Sequence, residues 1–263
     1  MTANFSSALW AETLKLRRSK VPLFTAIGFS MAPLFGGLFM IILKDPEAAR
    51  SMGLISAKAQ LAAGTAEWAT LFNMLAQATA VGGAIVFGIF TAWLFGREFS
   101  DRTAKELLAL PTPREAIIGA KFIVMAIWTL LLTVWCYVLG LVIGTLVDIP
   151  GWSSELLRSA TVDILGAGAL TIILLPFVAF FASAGKGELP PFGWLILTVV
   201  LAQVAAITGW GDWFPWAIPA LFSGAVGPRS EFMGVHSYII IIFTSLMGIA
   251  ITFYWWRTVD QTR

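Results

Sequence analysis

Few residues in this chain have the type and spacing needed to break a covalent bond. The segment nearest to a phosphate-binding loop, residues 180–187, lacks the first glycine and the hydroxyl residue of the G-x-x-x-x-G-K-[ST] pattern. His236 is the only histidine, so the H-E-x-x-H pattern of zinc proteases is missing, and the single cysteine, Cys136, lies in an apolar run. We therefore expect no catalytic residue, no metal site and no cofactor bound by this chain itself.

One enzymatic alternative is an intramembrane serine protease that uses Ser153 and His236. Ser153 follows a Pro-Gly turn, but nothing in the sequence places His236 beside it. A lone histidine near the end of an apolar run is more often a packing residue than a catalytic base. A membrane enzyme is thus the weakest hypothesis, and it predicts activity of the isolated chain that is lost when either residue is replaced.

The longest charge-dense segment between apolar runs, residues 96–114, carries the signals of a short helix. Thr103 and Glu106 have the spacing of a capping box, in which each side chain satisfies a free backbone amide of the other residue. Pro111 and Pro113 then prevent the helix from continuing. The segment is therefore expected to be a stiff polar helix at one membrane face, suited to receive force or a signal from a soluble partner. An inert solvated loop is the alternative.

The composition places the chain among proteins that cross a membrane several times. Apolar residues make up 58% of the 263 residues and charged residues only 12%. The net charge of +2 gives no reason to expect a nucleic-acid partner. Long charge-free runs in lipid must be helical, because unpaired backbone groups are too costly there. We predict one all-α transmembrane domain, residues 1–263, with six spans at about 21–43, 69–96, 117–147, 162–185, 189–211 and 235–256.

Lys and Arg are distributed unequally between the two ends of these spans. Twelve lie on the side that carries both termini and five lie on the other side. The excess of cationic residues marks the cytoplasmic face, so both termini and the loop 97–116 are expected to be cytoplasmic.

Three further segments have more than one interpretation. Residues 1–20 are expected to form an interfacial helix that contacts membrane lipid, with a frayed basic tail as the alternative. The outer connection 44–70 is expected to hold a helix, with a gate or a substrate vestibule as the alternative. The apolar, proline-rich outer segment 212–231 is expected to lie in the outer interface or to be re-entrant, and its role is either a cap over the bundle or a lid over a substrate exit.

Two motifs together resemble a known family. Trp10, Glu12, Lys15 and Arg18 form W-x-E-x-x-K-x-x-R before the first span. The second and third spans are joined by G-R-E-F-x-x-x-T from Gly96, followed by a Leu-Leu pair, Pro111, Arg114 and Lys121. This pattern resembles the permease subunits of bacterial ABC-2-type exporters, particularly the compact six-span group associated with peptide-antibiotic resistance and immunity. The likeness covers nearly the whole layout and is sharpest in residues 96–121.

The resemblance implies a permease subunit in the bacterial plasma membrane that forms the translocation pathway of an exporter. Such subunits pair with a second permease copy or a related permease, and separate ATPase subunits bind ATP-Mg and supply the energy. The implied cargo is an amphipathic peptide, an antibiotic or a lipid-like molecule. A membrane anchor or sensor for an ATPase complex, without transport, is the alternative from another class.

The resemblance also assigns roles to individual residues. The coupling helix that contacts the ATPase would include Glu98, Asp101, Arg102, Thr103, Glu106, Leu107 and Leu108. The elbow helix, also near the ATPase, would include Trp10, Glu12, Lys15 and Arg18. Polar residues within spans usually face the bundle or a wet cavity, so the candidates for the translocation path are Asn73, Gln77 and Gln203.

Overall fold

The computed structural model describes residues 2–45, 47, 53, 64–103, 105–106, 111–226 and 233–258, and its regular elements are all helical. Within these residues, six helical spans are long and apolar enough to cross a membrane, which confirms the predicted all-α, six-span class. The spans are Val21–Lys44, Trp68–Ser100, Arg114–Val147, Ser154–Ala184, Leu189–Ile207 and Val235–Thr258.

Helix labels follow chain order. The first helix, α1 (Thr2–Arg18), precedes the first span, α2 (Val21–Lys44). The second span consists of α3 (Trp68–Gln77), a π-helical turn (Ala78–Gly82) and α4 (Gly83–Ser100). The remaining spans are α5 (Arg114–Val147), α6 (Ser154–Ala184), α7 (Leu189–Ile207) and α9 (Val235–Thr258), and a short α8 (Ile218–Phe222) lies before the last of them.

The second and fourth spans form the centre of the bundle. Their most apolar windows are 56% and 61% buried within the chain, against 22–33% for the other four spans. The predicted helix in the outer connection 44–70 lies mostly outside the described residues.

Small residues allow the third span to approach the second closely. Gly140 and Gly144 of α5 face Leu75 and Trp68 of α3, and a Cβ at either glycine would lie within 2.5 Å of those side chains. This G-x-x-x-G pair therefore packs inside the subunit.

Two helices end differently from the predicted bounds because of local backbone geometry. The fifth span was expected to reach residue 211, but α7 stops at Ile207. Gly209 adopts φ 80°, and the amide of Trp210 donates to the carbonyl of Ala205 at 2.9 Å, which is a Schellman ending. The helix α4 ends in the same way, with Arg102 at φ 60° in the position that glycine usually fills.

Part of the outer segment 212–231 is packed into the bundle. A 3₁₀ turn (Pro215–Ala217) leads into α8, and both Ala217 and Ile218 are fully buried. The ring of Trp216 lies 5.2 Å from that of Trp194 on α7. Residues 227–232 of this segment lie outside the described residues.

Candidate functional site

The end of the bundle that carries both termini holds a cluster of four charged side chains, Glu12, Lys15, Glu98 and Lys121, which we call the ionic quartet. Three different elements supply it. Glu12 and Lys15 are on α1, Glu98 is in the last turn of α4, and Lys121 is two turns into α5. Each acid therefore meets a cation from a neighbouring helix.

The four side chains form a closed ring of ion pairs. The ammonium of Lys121 donates to Glu98 Oε1 at 2.8 Å and to Glu12 Oε2 at 3.1 Å. The ammonium of Lys15 donates to Glu12 Oε1 at 2.6 Å and to the same Glu98 oxygen at 3.0 Å. Two acids and two bases balance, so the ring has no net charge.

Burial makes this ring costly to disturb. The side chain of Lys121 is fully buried, and its ammonium makes a third hydrogen bond, at 2.7 Å, to the carbonyl of Leu94. The side chains of Glu12 and Glu98 are 2% and 4% exposed. Buried charges remain ionised only when they are paired and hydrogen-bonded; the ring pairs all four charges, and within it only Glu98 Oε2 has no hydrogen-bond partner among the described residues.

Lys15 is the most exposed member of the quartet, with 28% of its side chain accessible. Burial acts to lower the pKa of Lys15, but the neighbouring carboxylates of Glu98 and Glu12 outweigh it and raise the pKa above its usual value. Lys15 is therefore a cation at any physiological pH.

The charged segment between the second and third spans is held at both of its ends. At its start, the segment follows the last turn of α4, where Glu98 is fixed in the quartet. On the other side, the guanidinium of Arg114 donates to the carbonyl of Trp256 at 3.0 Å, and the indole of Trp256 donates to Ser183 at 2.9 Å. The described ends of this segment are thus tied to the second span at one end and to the third, fourth and sixth spans at the other.

The predicted coupling residues fall into three groups. Asp101, Arg102, Thr103 and Glu106 are exposed, and residues 105–106 are helical. Glu98 is buried in the quartet, where it contacts the chain's own lysines. Leu107 and Leu108 lie outside the described residues. The amide of Thr103 donates to the carbonyl of Glu98 at 2.9 Å, which joins the start of the exposed segment to the quartet.

The residues predicted on the elbow helix point in two directions. Glu12 and Lys15 turn inward to the quartet, whereas Trp10 is 68% exposed and Arg18 is also exposed. Helix α1 therefore presents one charged face to the spans and another face outward.

The three polar residues predicted on the translocation path lie at three different places. Gln203 lines a largely apolar cavity of about 50 Å³ that also contacts the π-helical turn at Ala80. The amide of Gln77 approaches the carbonyl of Gly224 in the outer segment at 3.5 Å, and Asn73 lines a separate small pocket beside Asp163.

Ser153 and His236 have structural partners. The hydroxyl of Ser153 caps α6 by accepting the amide of Leu156 at 3.1 Å. His236 bonds to Asp212 at 2.9 Å and stacks on Trp213. These contacts give both residues a structural role.

Sequence reasoning named Glu12, Lys15, Glu98 and Lys121 but did not place them together. A signal was present: Glu12 interrupts the apolar face of α1, and Lys121 lies at the start of a long apolar run. Opposite charges on otherwise apolar faces are expected to find each other, because an unpaired charge there is too costly.

Comparison with known proteins gives two matches. Residues 8–205 match the family model described as ABC-2 family transporter protein. The chain is also similar to a protein of Bacillus licheniformis named bacitracin transport permease protein BCRB, with 29% identity over 182 residues that cover 68% of this chain and 85% of that protein. No solved structure matches the chain.

Proposed function

We propose that this chain, which belongs to the ABC-2 family of transporter proteins, works as the membrane-spanning permease subunit of an exporter driven by separate ATP-hydrolysing subunits. The end of the bundle that carries both termini faces the cytoplasm, as the distribution of Lys and Arg favours. An ATP-hydrolysing subunit docks there, on residues 101–113 and on α1.

The ionic quartet is the observation that carries this proposal. A docking element must pass displacement to the spans, and a flexible loop would absorb it. Here α1, α4 and α5 are joined by the buried ring, and the far end of the segment is held by Arg114. Movement of the segment therefore reaches several spans together, which is the kind of coupled rigid-body change that a transporter requires.

The exposed part of the segment is the proposed contact surface. Asp101, Arg102, Thr103 and Glu106 present both charge signs to solvent, so charge complementarity with a partner would select and orient it. Leu107 and Leu108 are the proposed apolar contacts. Glu98 supports this surface from beneath, since its carboxylate is inside the quartet.

The cargo is proposed to be an amphipathic peptide antibiotic or a lipid-like molecule. The similar protein of Bacillus licheniformis carries bacitracin transport in its name, and the spans of this chain are strongly apolar. A second copy or a related permease would complete the pathway. Asn73, Gln77 and Gln203 remain the proposed polar residues along it.

The docking proposal is tested by reversing charge on the proposed surface. In the variant Asp101→Lys with Glu106→Lys, recovery of the ATP-hydrolysing subunit with the tagged chain should fall at least about tenfold, which corresponds to about 1.4 kcal/mol. The matched control is Glu67→Lys with Glu155→Lys, which makes the same charge change on exposed residues at the opposite end of the bundle. Equal recovery from both variants would show that the subunit docks elsewhere.

Transport itself separates a permease from a membrane anchor or sensor. Inverted membrane vesicles that contain the chain and its ATP-hydrolysing subunit should accumulate a fluorescent amphipathic peptide when ATP is added. The docking variant should lose this accumulation and the control variant should retain it. Nucleotide-stimulated signalling without accumulation of any amphipathic peptide or lipid probe would identify the sensor instead.

A further inference from the structure

A pocket of about 170 Å³ lies between α1 and the end of the segment that joins the second and third spans. Helix α1 contributes Ser7, Ala8, Ala11, Glu12 and Lys15, and Thr112 and Ile117 close the other side. We call it the α1 notch. Two alanines and an isoleucine make its apolar floor, while hydroxyl groups and the ammonium of Lys15 make its polar rim.

The notch opens away from the apolar flank of α1. At about 100° per residue, Ser7, Ala11 and Arg18 lie along one flank of the helix, and Leu9 and Leu16 lie on the opposite flank. Both leucines pack against the buried core of the bundle. The notch therefore faces solvent on the proposed cytoplasmic side, where a soluble protein reaches it.

The charge of the rim favours an anionic group. Among the described residues that line the notch, Lys15 is the charged side chain that is accessible, whereas Glu12 is buried and already accepts hydrogen bonds from Lys15 and Lys121. An ammonium has three N–H groups, and that of Lys15 donates to two carboxylate oxygens within the described residues. A third acceptor in the notch completes its coordination.

We propose that the α1 notch receives an acidic side chain of the ATP-hydrolysing subunit, which hydrogen-bonds to Lys15 and so makes direct contact with the ionic quartet. This inference rests on the proposed function and deepens it. A cavity of about 150 Å³ holds a benzene molecule, so the notch has room for a glutamate side chain with its methylene groups over the alanines. Docking then acts on α1 as well as on residues 101–113.

The anion preference of the notch is tested on the chain alone, without any partner. Ser7 lines the notch and Ser6 does not, yet both are exposed neighbours on α1. The native Cys136 is fully buried, so a cysteine introduced at either position is the reactive thiol. The reaction rates of Ser7→Cys and Ser6→Cys are measured with an anionic and a cationic methanethiosulfonate reagent of similar size.

The ratio of the anionic to the cationic rate should be at least about twofold higher at Ser7→Cys than at Ser6→Cys. The ammonium of Lys15 is the accessible charge of a ring that is neutral as a whole, so the buried carboxylates cancel part of its attraction for the anionic reagent. The difference should shrink as salt is raised from about 0.01 to 1 M. Equal ratios at the two positions would overturn the assignment of the notch as an anion-accepting site.

Occupancy by the partner is tested with a second matched pair. Ser7→Phe fills the notch and Ser6→Phe adds the same ring outside it. Recovery of the ATP-hydrolysing subunit should fall at least about tenfold for Ser7→Phe relative to Ser6→Phe. If both variants recover it equally while the charge reversal at Asp101 and Glu106 still abolishes recovery, the notch proposal fails and the docking proposal stands. If no ATP-hydrolysing subunit is recovered with the unaltered chain, the proposed function itself fails.

Discussion

Replacement of Lys121 by methionine is the sharpest test of the ionic quartet. Methionine keeps most of the side-chain volume and removes the charge, so packing changes little. The ammonium of Lys121 bonds to Glu12, Glu98 and the carbonyl of Leu94, and none of these partners is open to solvent. Removing it leaves two buried carboxylates that share Lys15 alone.

The expected loss of stability follows from this imbalance. Breaking a buried ion pair by removing one partner typically costs about 3–5 kcal/mol, because the remaining charge is buried without compensation. At about 2–4 °C per kcal/mol for a chain of this size class, Tm should fall by about 6–20 °C. Tryptophan fluorescence in detergent or nanodiscs, followed during heating, measures the shift.

A matched lysine gives the control. Lys20→Met removes the same charge from an exposed position beside α2 and should change Tm by no more than about 2 °C, since exposed charges contribute little. If Lys121→Met and Lys20→Met had equal effects on Tm, the quartet would not hold these helices together.

The double variant Glu12→Gln with Lys121→Met tests whether charge balance is the cause. It leaves one acid, Glu98, with one base, Lys15, so the ring is again neutral. We expect the double variant to be more stable than the sum of the two single losses predicts, with a coupling of about 0.5–3 kcal/mol. Simple additivity would refute the electrostatic explanation and leave only lost packing at Lys121.

Three further predictions concern positions outside the quartet. Gly96→Ala should cost about 1–3 kcal/mol, because a Cβ there would lie 2.7 Å from the backbone of Gly187, whereas Gly28→Ala, with open space, should be neutral or slightly stabilising in the same melting assay. Ser153→Ala should cost about 1 kcal/mol through loss of the helix cap and should leave transport unchanged, and loss of transport without loss of stability would revive a direct chemical role for this serine. The pKa of Glu188 is raised by burial and by Asp101, so the native chain binds the proton of this carboxyl more tightly than the unfolded chain does. The free energy of unfolding should therefore rise as the pH falls through the raised pKa of the native chain. Glu188→Gln should therefore increase the free energy of unfolding at about pH 7, by less than about 1 kcal/mol for this partly exposed group, and Tm should rise slightly. This gain should vanish towards about pH 4.

The six spans were predictable because lipid leaves a long charge-free run only one structure, the helix. The ends of the helices were less predictable, since they depend on single residues. Gly209 ends α7 by the usual glycine geometry, but Arg102 ends α4 in a left-handed conformation that arginine seldom adopts. The π-helical turn at Ala78–Gly82 likewise leaves no mark in hydropathy, because all five residues suit an ordinary transmembrane helix.

The candidate site was predictable in its residues but not in its arrangement. The motif before the first span placed Glu12 and Lys15 on an elbow helix near the ATPase, and the charged segment placed Glu98 among the contacts of the coupling helix. In the structure the side chains of Glu98 and Glu12 are buried against Lys121, across 23 and 109 positions of sequence. Pairing at such separation depends on how α1 lies against α5, and no local pattern encodes that packing.

An ionic ring at this place has a consequence that an apolar contact would not have. An apolar contact between helices can repack in another register without leaving a charge unpaired, whereas any slip of this buried ring of ion pairs leaves a charge unpaired, which is costly. Helices α1, α4 and α5 are thereby held in a single relative position at the end of the bundle where residues 101–113 are anchored. A force applied to that segment or to α1 therefore moves the second and third spans together, and the first rearrangement must occur farther along them. The π-helical turn in the second span, where the carbonyl of Ala80 accepts a hydrogen bond from Thr171 of α6 at 3.4 Å, is the first break in regular helix that such a movement meets.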